Sequence, residues 1–502
     1  MRSRSAGALL RPITRPRARL GGNARAGVPA KQHTSARDDA ETGPEKEENT
    51  MKSIDIQTQP LRHARWQMAL LGAWLIAAAA CSSDSTDPHT PTPTPEPEGP
   101  GNIVEVAEGA GFNALLAAAT RAGLAETLAT GGPFTVFAPT DEAFAALLSS
   151  IGATSVDDVP EATLAAILQY HVVSGTVRQA QIPASANSIS ELTLLFDTSA
   201  GVRVNDATVT QADVPASNGI IHVIDKVLAL PDLIDIAGFA GLTTLATALT
   251  EADLVSTLRG EGPFTVFAPT NAAFAALPAL PEGDALELTL QYHVVSGARV
   301  AAGDIASGLS TASAVATDSN ANALTLILNK DESVNVNAAT VMQADIRATN
   351  GIIHIIGSVL LPPTIVDLAG FAGLTSLASA LGAADGDLVA TLSTPGTFTV
   401  LAPTNAAFAA ITAPTDPSEL ANLLLYHVLG APNDAAPVLA SGVPNNATLP
   451  TLFADNNITS NTESGVTFTD AQGGVANVVI PDVVGTNGVV HVINRVLQPA
   501  SL

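Results

Sequence analysis

Two hydrophobic periods follow one another along the chain, and they predict helices and strands in a fixed order. The short apolar run Phe134–Phe137 lies just before Pro139, a pattern typical of a buried strand that ends at a proline. Thr140 suits the N-cap of a following helix, because its hydroxyl can accept a backbone N–H that the helix leaves unpaired. Asp141 and Glu142 come next, where negative charge favours the positive end of the helix dipole. The apolar face of this helix consists of Phe144, Leu147 and Leu148.

A second helix and then several strands follow within the same stretch. The apolar face of this helix consists of Leu164, Ile167, Leu168 and His171. The segments 202–204 and 207–209 alternate as strands do, and Asn218–Gly219 is a strong signal for a hairpin turn. The strand after this turn places Ile220, His222 and Ile224 on one face. Helices in the first half and strands in the second predict an α+β domain.

Three sequence blocks recur in the same order, which makes this domain one of three copies. GPFTVFAPTDEAF (132–144) returns at 262–274 and, with small changes, at 396–408. QYHVVSG (169–175) returns at 291–297 and as LYHVLG at 425–430. SNGIIHVIDKVL (217–228) returns with changes at 349–360 and 486–497. Spacings of about 130 residues indicate whole domains in tandem, since the turns of a solenoid are much shorter.

The three blocks together resemble the fasciclin domain, and the resemblance covers nearly all of the chain after residue 101. It divides this part into domain 1 (102–231), domain 2 (232–362) and domain 3 (363–498). The resemblance implies an α+β fold in which each domain is a wedge of two β-sheets flanked by helices. It also implies adhesion to cells, to extracellular matrix or to a surface polymer.

Composition and charge exclude several classes of protein. The chain carries a net charge of −25, and residues 1–80 hold 13 of its 22 basic and 7 of its 47 acidic side chains. The remaining 9 basic and 40 acidic side chains give residues 81–502 a net charge of −31. Such a surface repels phosphate backbones, so we expect no nucleic-acid partner. A single cysteine excludes a disulfide framework and a cysteine-based zinc module.

The N-terminal part indicates export. Residues 1–50 show neither hydrophobic period and are predicted to be disordered, and Met51 offers an alternative translation start. Residues 51–80 combine basic residues with an apolar run at 68–80, as a secretory signal does. The cysteine that follows, Cys81, resembles the lipidated residue of a bacterial lipoprotein, although Ala78 stands where leucine is usual. An alternative is a plain signal peptide followed by an incidental cysteine.

If Cys81 is lipidated, the residue after it favours the outer membrane or the cell surface. Ser82 stands where an aspartate would act as a signal for retention at the inner membrane. Residues 81–101 are rich in proline, threonine and serine, a composition that predicts an extended, semi-rigid tether. The predicted membrane contact is therefore through a lipid anchor only.

A pair of histidines recurs in every domain, and three roles are open to it. The six residues are His171, His222, His293, His354, His427 and His491. Metal ligation and general base catalysis are both open to imidazole. Each of the six continues an apolar face, however, which favours a neutral ring hydrogen-bonded inside the core. We therefore expect structural histidines, with no metal, no cofactor and no catalytic residue.

The resemblance also indicates a candidate adhesion surface. Some animal fasciclin domains are proposed to bind integrins through an Asp–Ile pair before the Asn–Gly turn and through the Tyr–His region. The matching pairs here are Asp213–Val214, Asp345–Ile346 and Asp482–Val483, and the matching tyrosines are Tyr170, Tyr292 and Tyr426. A carboxylate there could coordinate a partner's divalent cation, or it could simply help to turn the hairpin.

These observations predict a surface-anchored or secreted adhesion protein that is not an enzyme. Its partners would be cell-surface or matrix proteins or polysaccharides. Two alternatives from other classes remain open at this point. The first is a cell-envelope carrier of a small molecule or metal, held between sheet and helices. The second is a cell-envelope hydrolase that acts through a histidine of one domain.

Overall fold

The computed structural model describes residues 100–429 and 436–502. The predicted signal segment 51–80, Cys81 and the tether up to residue 99 lie outside the described residues. Within the described ranges, no helix has both the length and the apolar character needed to cross a membrane.

Domain 1 begins with helices and ends with strands, as the sequence predicts. Its helices are α1 (Ile103–Gly109), α2 (Asn113–Arg121), α3 (Ala125–Thr130), α4 (Asp141–Ser150) and α5 (Glu161–Tyr170). Its strands are β1 (Phe134–Pro139), β2 (Val172–Ser174), β3 (Ser185–Asn187), β4 (Thr193–Asp197), β5 (Arg203–Val204), β6 (Ala207–Ala216) and β7 (Gly219–Ile224). Short 3-10 turns occur at Val156–Asp158 and Gln179–Gln181.

Domain 2 repeats this order with small differences in length. Its helices are α6 (Leu233–Phe239), α7 (Thr243–Glu251), α8 (Val255–Leu258), α9 (Asn271–Ala275) and α10 (Asp284–Tyr292). Its strands are β8 (Phe264–Pro269), β9 (Val294–Ser296), β10 (Gly308–Thr317), β11 (Ala323–Lys330), β12 (Val334–Val336), β13 (Ala339–Ala348) and β14 (Gly351–Ile356).

Domain 3 follows the same plan. Its helices are α11 (Ile365–Phe371), α12 (Thr375–Ala383), α13 (Leu388–Ser393), α14 (Asn405–Ala409) and α15 (Pro417–Leu425), with a 3-10 turn at Ala440–Gly442. Its strands are β15 (Phe398–Pro403), β16 (Val428–Leu429), β17 (Ala447–Pro450), β18 (Asn457–Asn461), β19 (Thr467–Thr469), β20 (Val475–Gly485) and β21 (Gly488–Ile493).

Seven strands in each domain are linked by hydrogen bonds in one order. In domain 1 the order is β2-β1-β7-β6-β5-β4-β3, and β1 and β7 form a parallel pair whereas the other neighbours are antiparallel. The two halves of this order pack against each other, because Phe137 and Ile224 share a buried cluster with Leu194 and Val204. The two expected sheets are thus the two parts of one continuous series of hydrogen-bonded strands, and the long strand β6 belongs to both parts. Each domain is α+β.

The local signals of the sequence are confirmed by the elements they predict. The apolar run at 134–137 lies in β1, a strand that is buried from its second residue onward. Thr140 is the N-cap of α4, and its hydroxyl accepts a hydrogen bond from the backbone N–H of Ala143. The predicted hairpin turn at Asn218–Gly219 is present between β6 and β7: Ser217 and Asn218 form the turn, and Gly219 is the first residue of β7, opposite Ala216.

The asparagine of this turn also ties the helices to the sheet. The Oδ1 atom of Asn218 accepts the N–H of Ile103, and its Nδ2 donates to the carbonyl groups of Leu128 and Gly131. Asn350 and Asn487 make the equivalent three hydrogen bonds in the other domains. This contact, which we call the asparagine clasp, anchors the first helix of each domain.

Candidate functional site

The histidine at the end of the second helical block is fully engaged in every domain. The Nδ1–H of His171 donates to the carbonyl of Ile167 at 2.7 Å, and its Nε2 accepts the backbone N–H of Leu228 at 2.9 Å. His293 and His427 make the same two bonds in domains 2 and 3. Both nitrogens are therefore occupied in a neutral ring. Burial lowers the pKa of all three imidazoles to about 4.

The strand histidine is engaged in the opposite tautomer. The Nε2–H of His222 donates to the carbonyl of Val177 at 2.8 Å, and its Nδ1 accepts the backbone N–H of Asp213 at 3.3 Å. His354 and His491 repeat these bonds, and burial is the main cause that lowers the pKa of both. The His222 ring also stacks on Phe137, with ring centroids 5.4 Å apart.

These contacts leave no ring nitrogen of the six imidazoles free for a metal ion or a substrate. A metal ligand or a general base needs a ring nitrogen that faces its ion or substrate. Here each nitrogen faces a backbone group, and the rings of all six are at most 3% exposed. Within the described ranges, no group of three or more His, Cys, Asp or Glu side chains is arranged to hold a metal ion.

The three tyrosines lie in the core, which differs from the expectation of a tyrosine-lined surface. All three are 0% exposed. The hydroxyl of Tyr170 donates to the carbonyl of Thr193 and accepts the Nδ2–H of Asn205. Tyr292 makes the matching pair of bonds, and burial raises the pKa of both phenols. A binding partner therefore cannot reach these rings, whose role is to fix strands β4 and β11.

The aspartate of each Asp–aliphatic pair occupies a backbone bulge. Asp213, Asp345 and Asp482 have φ values of +59°, +61° and +56°, and each bulge interrupts the pairing of its strand. The Oδ1 atoms accept the backbone N–H groups of Gln179, Ala302 and Ala440, respectively. The side chains of Asp345 and Asp482 remain 39% exposed. The aspartate thus shapes the loop and still presents a carboxylate oxygen to solvent.

The residues after Asp345 form the junction between domains 1 and 2. The backbone N–H of Arg347 in β13 donates to the hydroxyl oxygen of Thr193 in β4 at 2.9 Å. Two positions further along β4, Leu195 joins the buried cluster of domain 2 that contains Ile346. An exposed ion pair, Arg347–Glu191 at 2.9 Å, lies beside this contact.

The junction between domains 2 and 3 repeats the same contact. The backbone N–H of Val484 in β20 donates to the hydroxyl oxygen of Thr325 in β11 at 2.9 Å. Ile327, two positions after Thr325, joins the buried cluster of domain 3 that contains Val483. Each domain therefore docks onto the next through a threonine hydroxyl and an aliphatic side chain.

The two junctions cover the Asp–aliphatic pairs of domains 2 and 3 but not the pair of domain 1. Ile346 and Val483 are 1% and 2% exposed, and no partner can reach either. Val214 of domain 1 is only half-buried, and Pro215 after it is exposed. The Asp–aliphatic element is thus complete at the surface only in domain 1.

Sequence reasoning missed the two junction threonines and the asparagine clasp. Thr193 and Arg347 are 154 residues apart, so no local period links them. A signal does exist when the copies are compared, since TLLFD at 193–197 corresponds to TLILN at 325–329. In both strands the threonine is followed two positions later by an aliphatic residue.

A partly open apolar cavity bears on the carrier alternative. It lies in domain 3, has a volume of about 30 Å³ and is lined by Leu377, Leu424 and His427 among others. This volume is far below the 300–1,000 Å³ of ordinary ligand sites. Open surface clefts of about 340 and 440 Å³ lie beside Arg347 and Arg259.

The architecture is that of three tandem α+β domains that repeat the same histidine, tyrosine and asparagine contacts. The family model of the fasciclin domain matches residues 110–231, 240–362 and 372–499. The chain belongs to the fasciclin family.

Similar proteins occur in bacteria and animals. Protein sll1483 of Synechocystis is 49% identical over 135 residues, which are 25% of this chain and 71% of that protein. Human periostin is 30% identical over 329 residues, 61% of this chain and 37% of periostin. The pig transforming growth factor-beta-induced protein ig-h3 is 30% identical over 316 residues, 59% of this chain and 45% of that protein.

A solved FAS1 domain pair from the insect cell adhesion molecule fasciclin I is 20% identical, with a TM-score of 0.34. That comparison covers 51% of this chain and 96% of the domain pair. The chain spans less than half the length of ig-h3 and of periostin.

Proposed function

We propose that this protein is a surface-displayed adhesion protein rather than an enzyme. Its partners would be proteins or polysaccharides of cell surfaces or matrix. Lipidation of Cys81 would anchor it, and the proline-rich tether would hold the three domains away from the membrane. Membership of the fasciclin family supports adhesion as the activity.

The observation that carries the proposal is the half-buried Asp213–Val214 pair of domain 1, with the exposed Pro215 after it. Asp213 is held in shape by two hydrogen bonds, one from the Gln179 N–H to its Oδ1 and one from its own N–H to His222. The loop is therefore preorganised, which lowers the entropy lost when a partner binds. Its apolar neighbours supply the surface that a partner would bury.

The charge of Asp213 defines the chemistry of this surface. Among the described residues, the Oδ2 atom of Asp213 has no hydrogen-bond partner. A carboxylate oxygen of this kind can complete the coordination of a calcium ion held by a partner, or pair with a basic side chain. The net charge of −31 over residues 81–502 favours cationic partners.

Because domains 2 and 3 bury the aliphatic half of this element, avidity must come from several chains on one surface. Two copies that act together gain apparent affinity through effective concentration, often by 10²–10⁴-fold. Lipid anchoring of many copies at one membrane supplies this condition.

Adhesion of bacterial cells that express the full chain provides the test. The surfaces are coated with collagen, fibronectin, chitosan or alginate, and adhesion is counted in calcium and in EDTA. We expect Asp213→Asn to lower adhesion by about tenfold, which corresponds to the loss of one charge-assisted contact. Asparagine retains the Oδ1 acceptor, so the loop should keep its shape.

Asp345→Asn is the matched control, since it makes the same change beside a buried Ile346. It should leave adhesion near the wild-type level. Cys81→Ser should release the chain into the medium and abolish adhesion of the cells, while the released chain still coats the same surfaces. Equal losses in Asp213→Asn and Asp345→Asn, or no adhesion to any coating, would refute the proposal.

A further inference from the structure

The junctions between domains define two complementary positions on every domain. The acceptor pair is a threonine of the docking strand and the aliphatic residue two positions after it: Thr193 and Leu195 in domain 1, Thr325 and Ile327 in domain 2. The donor position lies two residues after the bulge aspartate: Arg347 in domain 2 and Val484 in domain 3. Each junction joins an acceptor pair to the donor position of the next domain.

Domain 1 has no backbone N–H at its donor position. The corresponding residue, two positions after Asp213, is Pro215, which carries no backbone N–H. The register of the sheet confirms the correspondence, because Pro215, Arg347 and Val484 lie opposite Ile220, Ile352 and Val489. Arg347 is half-buried and Val484 is buried, whereas Pro215 is exposed.

The acceptor pair of domain 3 is also altered. The residue whose carbonyl accepts the tyrosine hydroxyl is threonine in domains 1 and 2 but Asn457 in domain 3. Two positions later stands Thr459, which is exposed, where the other domains have a leucine and an isoleucine in a buried cluster. Ile458 between them is 1% exposed. The face of the strand that packs on the core of domain 3 is therefore retained, and only the opposite face, with Asn457 and Thr459, differs from the other domains.

We infer that the chain is closed against head-to-tail association at both ends, by Pro215 in domain 1 and by Asn457 and Thr459 in domain 3. A contact that joins one face to a different face grows into open filaments whenever both faces are free. The chain uses this kind of contact twice internally. A third such contact would join domain 3 of one copy to domain 1 of a second copy. It would lack the N–H donor at Pro215, the hydroxyl acceptor at Asn457 and the aliphatic side chain at Thr459.

Variants that restore each end separately test this inference. Pro215→Val copies Val484 and restores the donor, and the double variant Asn457→Thr/Thr459→Ile copies Thr325 and Ile327 and restores the acceptor pair. The full chains are studied by sedimentation velocity at concentrations up to about 1 mM, which is the effective concentration that short linkers give to joined domains.

The inference makes four distinct predictions for these samples. The wild-type chain and each end variant alone should remain monomeric. An equimolar mixture of the two end variants should form 1:1 dimers and nothing larger, since each partner offers one competent face. The triple variant should form chains whose mean length rises with concentration.

Thr208→Ile is the control for added surface hydrophobicity, because Thr208 is exposed on β6 outside both faces. It should remain monomeric. Head-to-tail association of the wild type would overturn the inference. So would a triple variant that keeps its native circular dichroism and stays monomeric at 1 mM, or a Thr208→Ile variant that associates as strongly as the triple variant.

Discussion

At the scale of single residues, the histidine pair shows how one side chain can meet two backbone requirements. The ring of His171 is a donor through Nδ1 and an acceptor through Nε2, whereas the ring of His222 has the reverse arrangement. Only the neutral imidazole offers one donor and one acceptor, because the protonated ring has two donors. Protonation would therefore break a hydrogen bond as well as place a charge in the core.

We predict that stability falls as the pH decreases from 6.5 toward 4. An exposed histidine of the unfolded chain takes up a proton near pH 6.5, but burial lowers the pKa of His171, His293 and His427 to about 4. The unfolded state thus binds more protons within this window, so stability is full above pH 6.5 and lost below it. The loss should reach about 3 kcal/mol per histidine, measured as the free energy of unfolding in urea.

The carboxylates titrate in a different range and allow a control. The exposed Asp158, Asp197 and Asp416 have pKa values lowered by local hydrogen bonds, so they contribute only at more acidic pH. Relief of negative self-repulsion on acidification acts in the opposite direction. A free energy of unfolding that stays constant between pH 6.5 and 5 would contradict the predicted role of the histidines.

Single residues also show where sequence reasoning succeeds and where it stops. The burial of His171 follows from its place on an apolar helical face, which is a local pattern. The burial of Tyr170 does not, because its hydroxyl depends on Thr193 and Asn205, 23 and 35 residues away. A side chain whose partners come from distant strands leaves no period in the sequence around it.

At the scale of elements, the asparagine clasp couples a turn to helices far along the chain. Asn487 is 3% exposed. Its Oδ1 accepts the N–H of Ile365 at the start of α11, and its Nδ2 donates to the carbonyls of Leu392 and Thr394 at the C-terminal end of α13. The hairpin signal Asn–Gly predicted the turn, but the helical partners lie about 90 to 120 residues away and could not be inferred from it.

Asn487→Asp should destabilise domain 3 strongly. Aspartate keeps the size of the side chain but replaces the two N–H donors with an oxygen that faces two carbonyl groups. A buried and unpaired polar or charged group of this kind costs about 3 kcal/mol or more. In scanning calorimetry, one unfolding transition should fall by about 10 °C.

Asn405→Asp is the matched control within the same domain. Asn405 is exposed; its Oδ1 accepts the N–H of Ser376, and its Nδ2 donates to the carbonyl of Gly373. Domain 1 has Asp141 in the same place, where it accepts the N–H of Ala114. The calorimetric change should therefore be small, less than about 1 kcal/mol. A change as large as that of Asn487→Asp would show that charge alone, rather than the clasp, determines the loss.

At the scale of the whole molecule, the two junctions use strands that are already held in place within their own domains. Thr193 and Thr325 are already fixed by tyrosines from their own domains, through bonds to their backbone carbonyls. Their hydroxyls are therefore presented without further loss of conformational freedom, which favours docking. The threefold repeat predicted the number of domains, whereas the junction could be recognised only once distant strands were placed together.

The double variant Thr325→Asn/Ile327→Thr should loosen the junction between domains 2 and 3, since it copies the outer face of domain 3. Without the hydroxyl acceptor and the aliphatic contact, the amide of Val484 should exchange its hydrogen with solvent at least about tenfold faster. Hydrogen exchange of the full chain, measured by mass spectrometry on peptides around 482–485, gives this rate.

The peptide that contains Arg347 is an internal reference, because its own junction is unchanged. Thr340→Asn, at an exposed position of β13, controls for the chemical change. Unchanged exchange at Val484 would mean that the threonine and isoleucine do not hold the domains together.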